Sequence, residues 1–313
     1  MTTYLSGPIT GNDNYVGQFA FAASRLRRDG YEVINPVETD DYLYNPTWQD
    51  YLRQDLPELV KCDDLATLPG WRESKGAKLE VHIAQALDMP IRHLPDTVVV
   101  GLMGYAQSGK DTTAGFMAPA GFRRLAFADA LKDVSQSASE LELNLAGYEG
   151  WVFEEMVERE GWERVKTFPG VRAFLQDLGL RVRKYDENFW INSALNQIEL
   201  GDKVVITDVR YPNEVQAVKD LGGTLIRITR PGVGPVNAHV SESAVENIDA
   251  DIEIANCGSL GDLQSLVELT VEEVLSQRPG WGGERPLGPF PEFTDPQFQW
   301  ARTMTLFTPQ ETA

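Results

Sequence analysis

The chain has 313 residues, an apolar fraction of 42% and a formal net charge of −19. That length suits two domains rather than one, and the apolar fraction is sufficient for hydrophobic cores. So acidic a surface repels nucleic-acid polymers, which argues against DNA or RNA binding but leaves small phosphorylated ligands open. The two cysteines, Cys62 and Cys257, indicate neither a disulfide framework nor a metal site.

The sequence has no feature of a membrane or exported protein. Residues Met1–Tyr4 lack a basic region followed by an apolar stretch, and no apolar run approaches the length of a membrane span. We therefore expect a soluble, cytoplasmic protein without a membrane partner.

Short apolar runs alternate with helical patterns over the first hundred residues. Strands are predicted at Thr3–Ser6, Glu32–Asn35, Leu65–Leu68 and Pro90–His93, and helices near Tyr15–Asp29, Trp48–Lys61 and Lys75–Leu87. This alternation favours a parallel sheet that is covered by helices.

A domain boundary is predicted near Asp96, where a proline-containing segment gives way to Val98-Val99-Val100. The second domain has predicted strands at Val98–Leu102, Arg124–Phe127, Val204–Thr207, Leu225–Ile228 and Ile252–Ala255. A first helix is predicted to begin near Lys110, and a long helical region is predicted from Asp129 to about Leu200. A last helix is predicted at Leu260–Ser276. From residue 278 the composition turns rich in proline and glycine, so the predicted organisation is 1–96, 97–277 and a tail at 278–313.

The segment Gly104–Thr112 follows an apolar strand and opens a helix, which is the context of a phosphate-binding loop. Its glycines allow backbone N–H groups to surround phosphate oxygens, and a lysine can reach the β- and γ-phosphates. The alternative is a chance glycine turn. The predicted phosphate-binding residues are Gly104, Gln107, Ser108, Gly109, Lys110, Asp111 and Thr112.

The predicted metal ligands are three oxygen-bearing residues. Asp111 stands where a serine or threonine usually binds Mg²⁺, and Thr112 follows it. Asp208 ends the apolar strand Val204–Thr207, an arrangement that holds Mg²⁺ in enzymes of this type. An ordinary aspartate at a strand end is the alternative for Asp208.

Several sequence blocks in residues 97–278 resemble the deoxynucleoside monophosphate kinases of bacteriophages. The blocks are Gly109–Thr112, Phe127–Lys132, Leu175–Gly179, Asp208–Glu214 and His239–Glu242. The resemblance implies a P-loop kinase fold, ATP and Mg²⁺ as cofactors, and a deoxynucleoside monophosphate as acceptor. It also implies the cytoplasm of a host cell as the location.

The acceptor nucleotide is expected at a helical region that is rich in polar residues. Arg172, Arg181 and Arg183 can bind its phosphate, since guanidinium groups bind phosphate oxygens in bidentate fashion. Residues that can frame sugar and base are Asp129, Lys132, Gln176, Asp186 and Trp190. A solvated helix face is the alternative for this set.

The segment Arg230–Glu242 contains prolines and glycines and is predicted to form a lid. In that role Arg230 would meet the transferring phosphoryl group, whereas a plain surface loop is the alternative.

Two features of the first domain point to ligand binding. Ser6 and Gly7 end the first strand, and parallel sheets bind ligands at that edge. Ser74 and Gly76 open a helix whose N-terminus suits an anion, with Glu80 about one turn further on.

Residues 2–93 resemble the superfamily of nucleoside deoxyribosyltransferases and deoxynucleotide N-hydrolases. The segments that carry the resemblance are Tyr4–Ile9, Cys62–Trp71 and Ser74–Glu80. It implies a flavodoxin-like or Rossmann-like fold and a homo-oligomer that completes the site. It also implies that Glu80 attacks the anomeric carbon, that Tyr4 orients Glu80, and that Asp63 or Asp64 assists protonation of the base. A surface glutamate and a plain helix cap are the alternatives.

The sequence therefore predicts an α/β protein of two domains, each a parallel sheet covered by helices. The predicted function is bifunctional: one half phosphorylates a deoxynucleoside monophosphate, and the other cleaves or exchanges an N-glycosidic bond. A kinase with a non-catalytic nucleotide-binding module is the alternative.

Overall fold

The first sheet of the molecule contains four strands. We describe the chain from a computed structural model over residues 1–39, 47–137, 152–234 and 248–278. The strands of this sheet are β1 (Thr2–Ser6), β2 (Glu32–Ile34), β3 (Asp64–Thr67) and β4 (Ile91–His93). They lie in the order β2-β1-β3-β4, and every neighbouring pair is parallel.

The second sheet contains five strands, β5 (Val98–Met103), β6 (Arg123–Leu125), β7 (Lys203–Ile206), β8 (Thr224–Thr229) and β9 (Ile252–Ala255). Their order is β6-β7-β5-β8-β9, again with parallel neighbours. All six residues of β5 are buried, because a central parallel strand is covered on both faces. The predicted α/β class, with two parallel sheets covered by helices, is confirmed.

Twelve α-helices occur in the part of the chain that the structure describes. They are α1 (Tyr15–Arg28), α2 (Pro36–Thr39), α3 (Trp48–Leu59), α4 (Lys75–Ala86), α5 (Lys110–Met117), α6 (Phe127–Ser137), α7 (Phe153–Glu160), α8 (Trp162–Val165), α9 (Pro169–Tyr185), α10 (Phe189–Leu195), α11 (Pro212–Asp220) and α12 (Leu260–Ser276). Helix α1 packs on the first sheet through Phe19 and Leu26. Helix α12 covers one face of the second sheet, and α10 and α11 cover the other.

The structure corrects the element boundaries in two places. The strand predicted at Arg124–Phe127 ends at Leu125, and Phe127 already begins α6. The sequence analysis also missed helix α11, whose start carries a proline at its first turn and a capping box from Tyr211 to Glu214. Both differences involve carboxylates of the segment Asp208–Glu214. Asp208 accepts from the N–H of Phe127 at the start of α6, and Glu214 caps the start of α11.

The two sheets belong to one compact unit, residues 1–279. Helix α1 joins them, because the Arg25 side chain donates from Nε to the carbonyl of Ile198 (2.7 Å) and from Nη2 to that of Leu195 (2.6 Å). The domain boundary near Asp96 remains a prediction. The predicted tail lies outside the described residues except for Arg278, and so does most of the predicted lid. No helix in the described ranges is long and apolar enough to cross a membrane.

Candidate active sites

The loop after β5 needs backbone conformations that favour glycine. Gly104 has φ +141°, and a Cβ there would lie 2.3 Å from the carbonyl oxygen of Ile228. Gly109 has φ +111° immediately before α5, and Gln107 between them has φ +67°. Successive turns of this kind bend a loop into a concave anion site in front of a helix N-terminus.

Lys110 lies folded over this loop. Its ammonium donates to the carbonyl oxygens of Gly104 and Tyr105, both at 2.8 Å. Burial, followed by the nearby Arg210, lowers the pKa of Lys110 to about 8. A phosphate oxygen in the loop would compensate the buried charge better than neutral carbonyls do.

Two hydroxyl groups beside the loop are buried without a hydrogen-bond partner among the described residues. They belong to Ser108 and Thr113, which are 1% and 0% exposed. Such orphaned polar atoms in a native site usually indicate a missing ligand or water. The loop itself is fixed from outside, since Asn256 donates to the carbonyl of Ser108 (2.9 Å) and Arg230 to that of Gln107 (3.4 Å). Sequence reasoning missed Asn256, which no local motif marks.

Of the predicted metal ligands, Asp208 follows β7, and Asp111 and Thr112 lie in the first turn of α5. Asp208 accepts hydrogen bonds from the backbone N–H groups of Phe127 (2.8 Å) and Ala128 (2.9 Å), which caps α6. Burial raises the pKa of Asp208, and these two N–H groups oppose that shift. The Asp111 carboxylate is 82% exposed and lies 3.7 Å from Arg124, and Thr112 is exposed.

This donor set fits a magnesium ion that is bound mainly through nucleotide phosphates. No group of three or more His, Cys, Asp or Glu residues that could hold a metal occurs in the described ranges. Mg²⁺ usually keeps several waters and takes one or two carboxylates together with substrate phosphates. Asp111, Thr112 and Asp208 are therefore sufficient in kind and number, although Asp208 already serves as a helix cap.

A cavity of about 970 Å³ opens beside Lys110. The predicted residues that line it are Gln107, Lys110, Asp111, Lys132, Arg172, Gln176, Arg183, Trp190 and Asp208. It is large enough for a nucleotide, and cations from α6 and α9 line it together with residues of the loop.

Helix α9 presents only one face to this cavity. Arg172, Gln176 and Arg183 are spaced by four and seven residues, which brings them onto one side of the helix. Arg181 lies half a turn away and forms an exposed ion pair with Asp177 (2.6 Å). The structure therefore does not bring Arg181 into the cavity, and the expectation that it binds the acceptor phosphate needs correction.

Two predicted acidic residues also lie outside the cavity lining. Asp129 pairs with Arg124 and Lys132, each at 2.8 Å, so that it orients two cations of the cavity wall. Asp186 accepts from the backbone N–H of Asn188 (2.9 Å) just before α10. The prediction that these carboxylates frame the sugar and base is therefore not supported by their positions.

Trp190 forms part of the cavity wall but is 2% exposed. Its indole N–H donates to the carbonyl of Gly179 in α9 (3.3 Å). The indole N–H of Trp190 is thus used in the contact between α10 and α9 rather than presented to the cavity.

Sequence reasoning missed the buried carboxylate of Glu214, which organises one side of the cavity. Glu214 is 2% exposed and accepts from Arg183 (2.6 Å) and from the backbone N–H of Arg210 (2.7 Å). The Arg183 guanidinium also lies over the Tyr211 ring, 4.3 Å from its centroid. Arg124, Arg210 and Tyr211 line the cavity as well. The capping-box spacing of Tyr211 and Glu214 was the available signal.

A second cluster lies beneath the first sheet around Glu80 of α4. Glu80 is 7% exposed and accepts hydrogen bonds from the Tyr4 hydroxyl (3.2 Å) and the Ser6 hydroxyl (2.5 Å). Burial raises the pKa of Glu80 to about 7, while the hydrogen bonds from Ser6 and Tyr4 oppose the shift. The structure thus brings together three residues of this predicted site.

The other residues that were predicted around Glu80 have structural contacts. The Ser74 hydroxyl accepts from the N–H of Ala77 (3.3 Å) and caps α4. A Cβ on Gly76 would lie 3.8 Å from the Trp48 indole nitrogen, and one on Gly7 would lie 3.0 Å from Cβ of Leu68. Gly7 therefore permits close packing after β1, and Gly76 lies at the start of α4.

Asp63 and Asp64 do not lie with Glu80, which corrects the predicted acid. Asp63 accepts from the N–H of Thr2 (2.7 Å) at the start of β1, whereas Ser6 ends that strand. Asp64 pairs in register with Thr3, and its ion pair with Arg92 (2.6 Å) lies on the sheet face opposite Tyr4 and Ser6. The resemblance implied that one of these carboxylates assists protonation of the base, but side chains at the opposite strand end lie too far from Glu80.

Two protein-family models match separate parts of the chain. Residues 157–267 match the deoxynucleotide monophosphate kinase family, and residues 1–93 match a domain of unknown function (DUF4406). A protein of Acanthamoeba polyphaga mimivirus, provisionally named a deoxynucleotide monophosphate kinase, is 31% identical over 196 residues. That match covers 58% of this chain and 93% of the viral protein.

Other relatives match over shorter stretches. The deoxynucleotide monophosphate kinase of Enterobacteria phage T4 is 31% identical over 109 residues, which is 33% of this chain and 45% of the phage protein. An uncharacterized protein of Ictalurid herpesvirus 1 is 34% identical over 107 residues, 32% of this chain and 47% of that protein. The chain thus spans about half the length of these two relatives.

Among solved structures, the dephospho-CoA kinase from Campylobacter jejuni is 15% identical, with a TM-score of 0.30. The match covers 57% of this chain and 97% of that one. A likeness at that score does not establish a function.

Proposed function

The chain belongs to the deoxynucleotide monophosphate kinase family, and we propose that it transfers the γ-phosphoryl group of ATP to a deoxynucleoside monophosphate. The observation that carries this proposal is one cavity that is lined both by residues of the phosphate-binding loop and by cationic residues of α9. Two phosphorylated substrates must face one another in such a reaction, and this cavity has an anion-binding wall for each.

The proposed reaction needs positioning and charge neutralisation more than covalent chemistry by the protein. An oxygen of the acceptor's 5′-phosphate attacks the γ-phosphorus, the bond to the β-phosphate oxygen breaks, and ADP leaves. Lys110 would move from the carbonyls of Gly104 and Tyr105 to the phosphates of ATP. Mg²⁺, when bound, supplies further neutralisation of the phosphates beside Asp111 and Asp208.

The acceptor phosphate is proposed to bind at the cavity face of α9. Arg172 lines this face, and Arg183 is held there by Glu214 (2.6 Å) and by the Tyr211 ring. An arginine that is fixed by a buried carboxylate presents its remaining N–H groups in one orientation, which suits phosphate oxygens. Arg230, which already contacts Gln107, is proposed to approach the transferring group from the β8 side.

A direct assay tests the kinase proposal. We expect ATP-dependent ADP formation with at least one monophosphate in a screen of the four common deoxynucleotides and of monophosphates with modified bases. Loss of this activity in Lys110→Met, with folding retained, supports the proposed roles. The absence of phosphorylation of every monophosphate would contradict the proposal.

A second activity is favoured by the buried Glu80. We propose that the first half of the chain cleaves the N-glycosidic bond of a deoxynucleotide. The ionised carboxylate of Glu80 would attack C1′, the bond from C1′ to the base nitrogen would break with its electron pair on the base, and the base would take a proton from solvent. Water or a second base would then release the sugar. A pKa of about 7 gives Glu80 an ionised fraction at neutral pH, and Tyr4 and Ser6 hold both of its oxygens.

The variant Glu80→Gln separates this activity from the alternative of a binding module. Glutamine retains the shape of the side chain and a carbonyl acceptor for one hydroxyl, so nucleotide binding and kinase activity are expected to survive. Base release, measured by chromatography, is expected to disappear. Tight nucleotide binding without base release by the wild type would favour the module.

A further inference from the structure

A second cavity, of about 340 Å³, lies between the two halves of the chain. Its walls come from the turns after β1, β3 and β4, from α1, and from residues that follow α10, α11 and α12. Neither Lys110 nor Glu80 lines it. It lies at the carboxyl edge of a parallel sheet, where open α/β sheets bind ligands, and its volume is that of a small-molecule site.

The walls of this cavity are mostly apolar. Its apolar lining comes from Phe21 and Ala22 of α1, from Leu68 and Leu94 just after β3 and β4, and from Leu200 and Leu221 of the second half. Such walls favour a ligand with flat apolar faces.

The charged groups of the cavity do not suit an anion. Arg278 is the one cation among its described lining residues, and it donates to the carbonyls of Gly222 and Thr97, both at 3.0 Å. Two carboxylates, Asp96 and Glu73, line the same space. A phosphate would therefore meet more negative than positive charge.

Asp96 is a suitable acceptor for a ligand. Its carboxylate is 26% exposed and forms an ion pair with Arg278 at 3.7 Å from Nε, a distance beyond hydrogen bonding that leaves its oxygens able to accept from a ligand. Nearby, Asn12 donates to the Gln18 side-chain oxygen (2.9 Å), which orients the Gln18 amide in the cavity wall. The cavity thus combines apolar faces with a fixed polar edge.

We propose that this cavity binds the uncharged base portion of a nucleobase or nucleoside, with N–H groups of the base donating to Asp96. A nucleobase has two flat apolar faces and a donor-bearing edge, which matches the walls and the carboxylate. Its Ala22 and Leu68 pack with Leu5, on the face of β1 opposite the Tyr4 and Ser6 side chains that hold Glu80, and Lys110 does not line it.

Helix α1 links this cavity to the kinase half. Arg25 of α1 caps the C-terminal end of α10, and Gly17 packs so closely that a Cβ would lie 2.3 Å from the carbonyl oxygen of Asp220 in α11. The other ends of these helices carry Trp190 and Glu214, which line the large cavity. A ligand against Phe21 therefore contacts the helix that supports the acceptor side of that cavity.

Calorimetry on the full chain tests the proposal, with the free bases, the nucleosides and the monophosphates as probes. We expect at least one base or nucleoside to bind the Glu80→Gln variant while a non-hydrolysable ATP analogue and a monophosphate are both present at saturation, since neither ligand is then consumed. Asp96→Asn is expected to weaken this binding about tenfold, since a hydrogen bond to a charged acceptor is lost. Leu221→Trp, which fills the cavity, is expected to abolish it. Asp88→Asn is the matched control, because Asp88 is exposed and its φ of +52° suits asparagine.

Two results would overturn the proposal: no base or nucleoside binds, or Asp96→Asn and Leu221→Trp bind as well as the control does. The difference between free base and nucleoside identifies the occupant. The binding test is independent of the proposed kinase activity. The link through α1 predicts that a ligand in this cavity changes the KM for the monophosphate. That prediction rests on the proposed kinase activity.

Discussion

Lys110 and Glu80 are both buried ionisable groups near strand ends, but their environments differ. Lys110 is held by carbonyls from its own loop, and a cavity of about 970 Å³ opens beside it. Glu80 is held by hydroxyls of Tyr4 and Ser6, more than seventy residues away in the sequence. One site is therefore built from a contiguous segment, and the other exists only once the first sheet has folded. This difference decides how much substitution at each group disturbs function and stability.

Substitution of Lys110 should give the largest effect, since its charge is proposed to act directly on the reacting phosphates. We expect Lys110→Met to lower kcat of the kinase reaction about 10²–10³-fold, as for the loss of one transition-state donor. Steady-state kinetics measure this, and Lys61→Met, which removes an exposed lysine from α3's C-terminal flank, is the control. Equal activity of the two variants would contradict the role of Lys110.

Besides its proposed role in base release, Glu80 should affect how the stability of the protein depends on pH. The pKa of Glu80 is raised to about 7 in the folded protein, so the folded state binds a proton more tightly than the unfolded chain does. Its contribution to stability is therefore present at low pH and is lost as pH rises from about 4.5 to 7. Relative to Glu80→Gln, the wild type should lose roughly 3 kcal/mol of unfolding free energy over this window.

Urea denaturation of both proteins at pH 5 and pH 7.5 measures that difference, and other titrating groups cancel in the comparison. A constant difference between the two proteins across this pH range would show that Glu80 titrates normally. The same experiment on Lys110→Met serves as a reference, because that substitution leaves Glu80 in place.

The contiguous site was the more predictable of the two from sequence. Gly104–Thr112 follows its strand directly, and the strand and helix around it formed where the pattern predicted. Glu80 and Tyr4 were paired only through a resemblance, since no spacing rule connects residues so far apart. Asp63 was also assigned only through a resemblance, and its position before β3 places it at the opposite end of the parallel strands from Ser6.

The acceptor wall, by which we mean the face of α9 with Arg172, Gln176 and Arg183, was only partly predictable. The sequence showed which polar residues α9 contains but not which of them point into the cavity. The basic residues of α9 were recognised, yet Arg172 and Arg181 were treated alike, although nine residues correspond to two and a half helical turns. The roles of Glu214 and Asn256 depend on tertiary contacts with Arg183 and Ser108. No local pattern could have assigned those contacts.

Arg172 and Arg181 provide a matched test of the acceptor wall. Arg172→Ala is expected to raise the KM for the monophosphate about tenfold, because a charged hydrogen-bond donor to the acceptor phosphate is removed. Arg181→Ala removes an exposed ion pair with Asp177 and should leave both KM values nearly unchanged. Similar kinetics for the two variants would contradict the assignment of one helix face to the acceptor.

Asp63→Asn should give the smallest effect. Asp63 accepts a hydrogen bond from the N–H of Thr2 at the exposed start of β1, so its replacement should cost no more than about 1 kcal/mol in thermal or chemical denaturation. Base release, where the wild type performs it, should be unchanged, because Asp63 lies at the strand end opposite Ser6 and Glu80. A large loss of base release with intact folding would mean that Asp63 reaches the leaving base after all, for example from a neighbouring subunit. Sedimentation of the variant and the wild type would distinguish that case from a change in assembly.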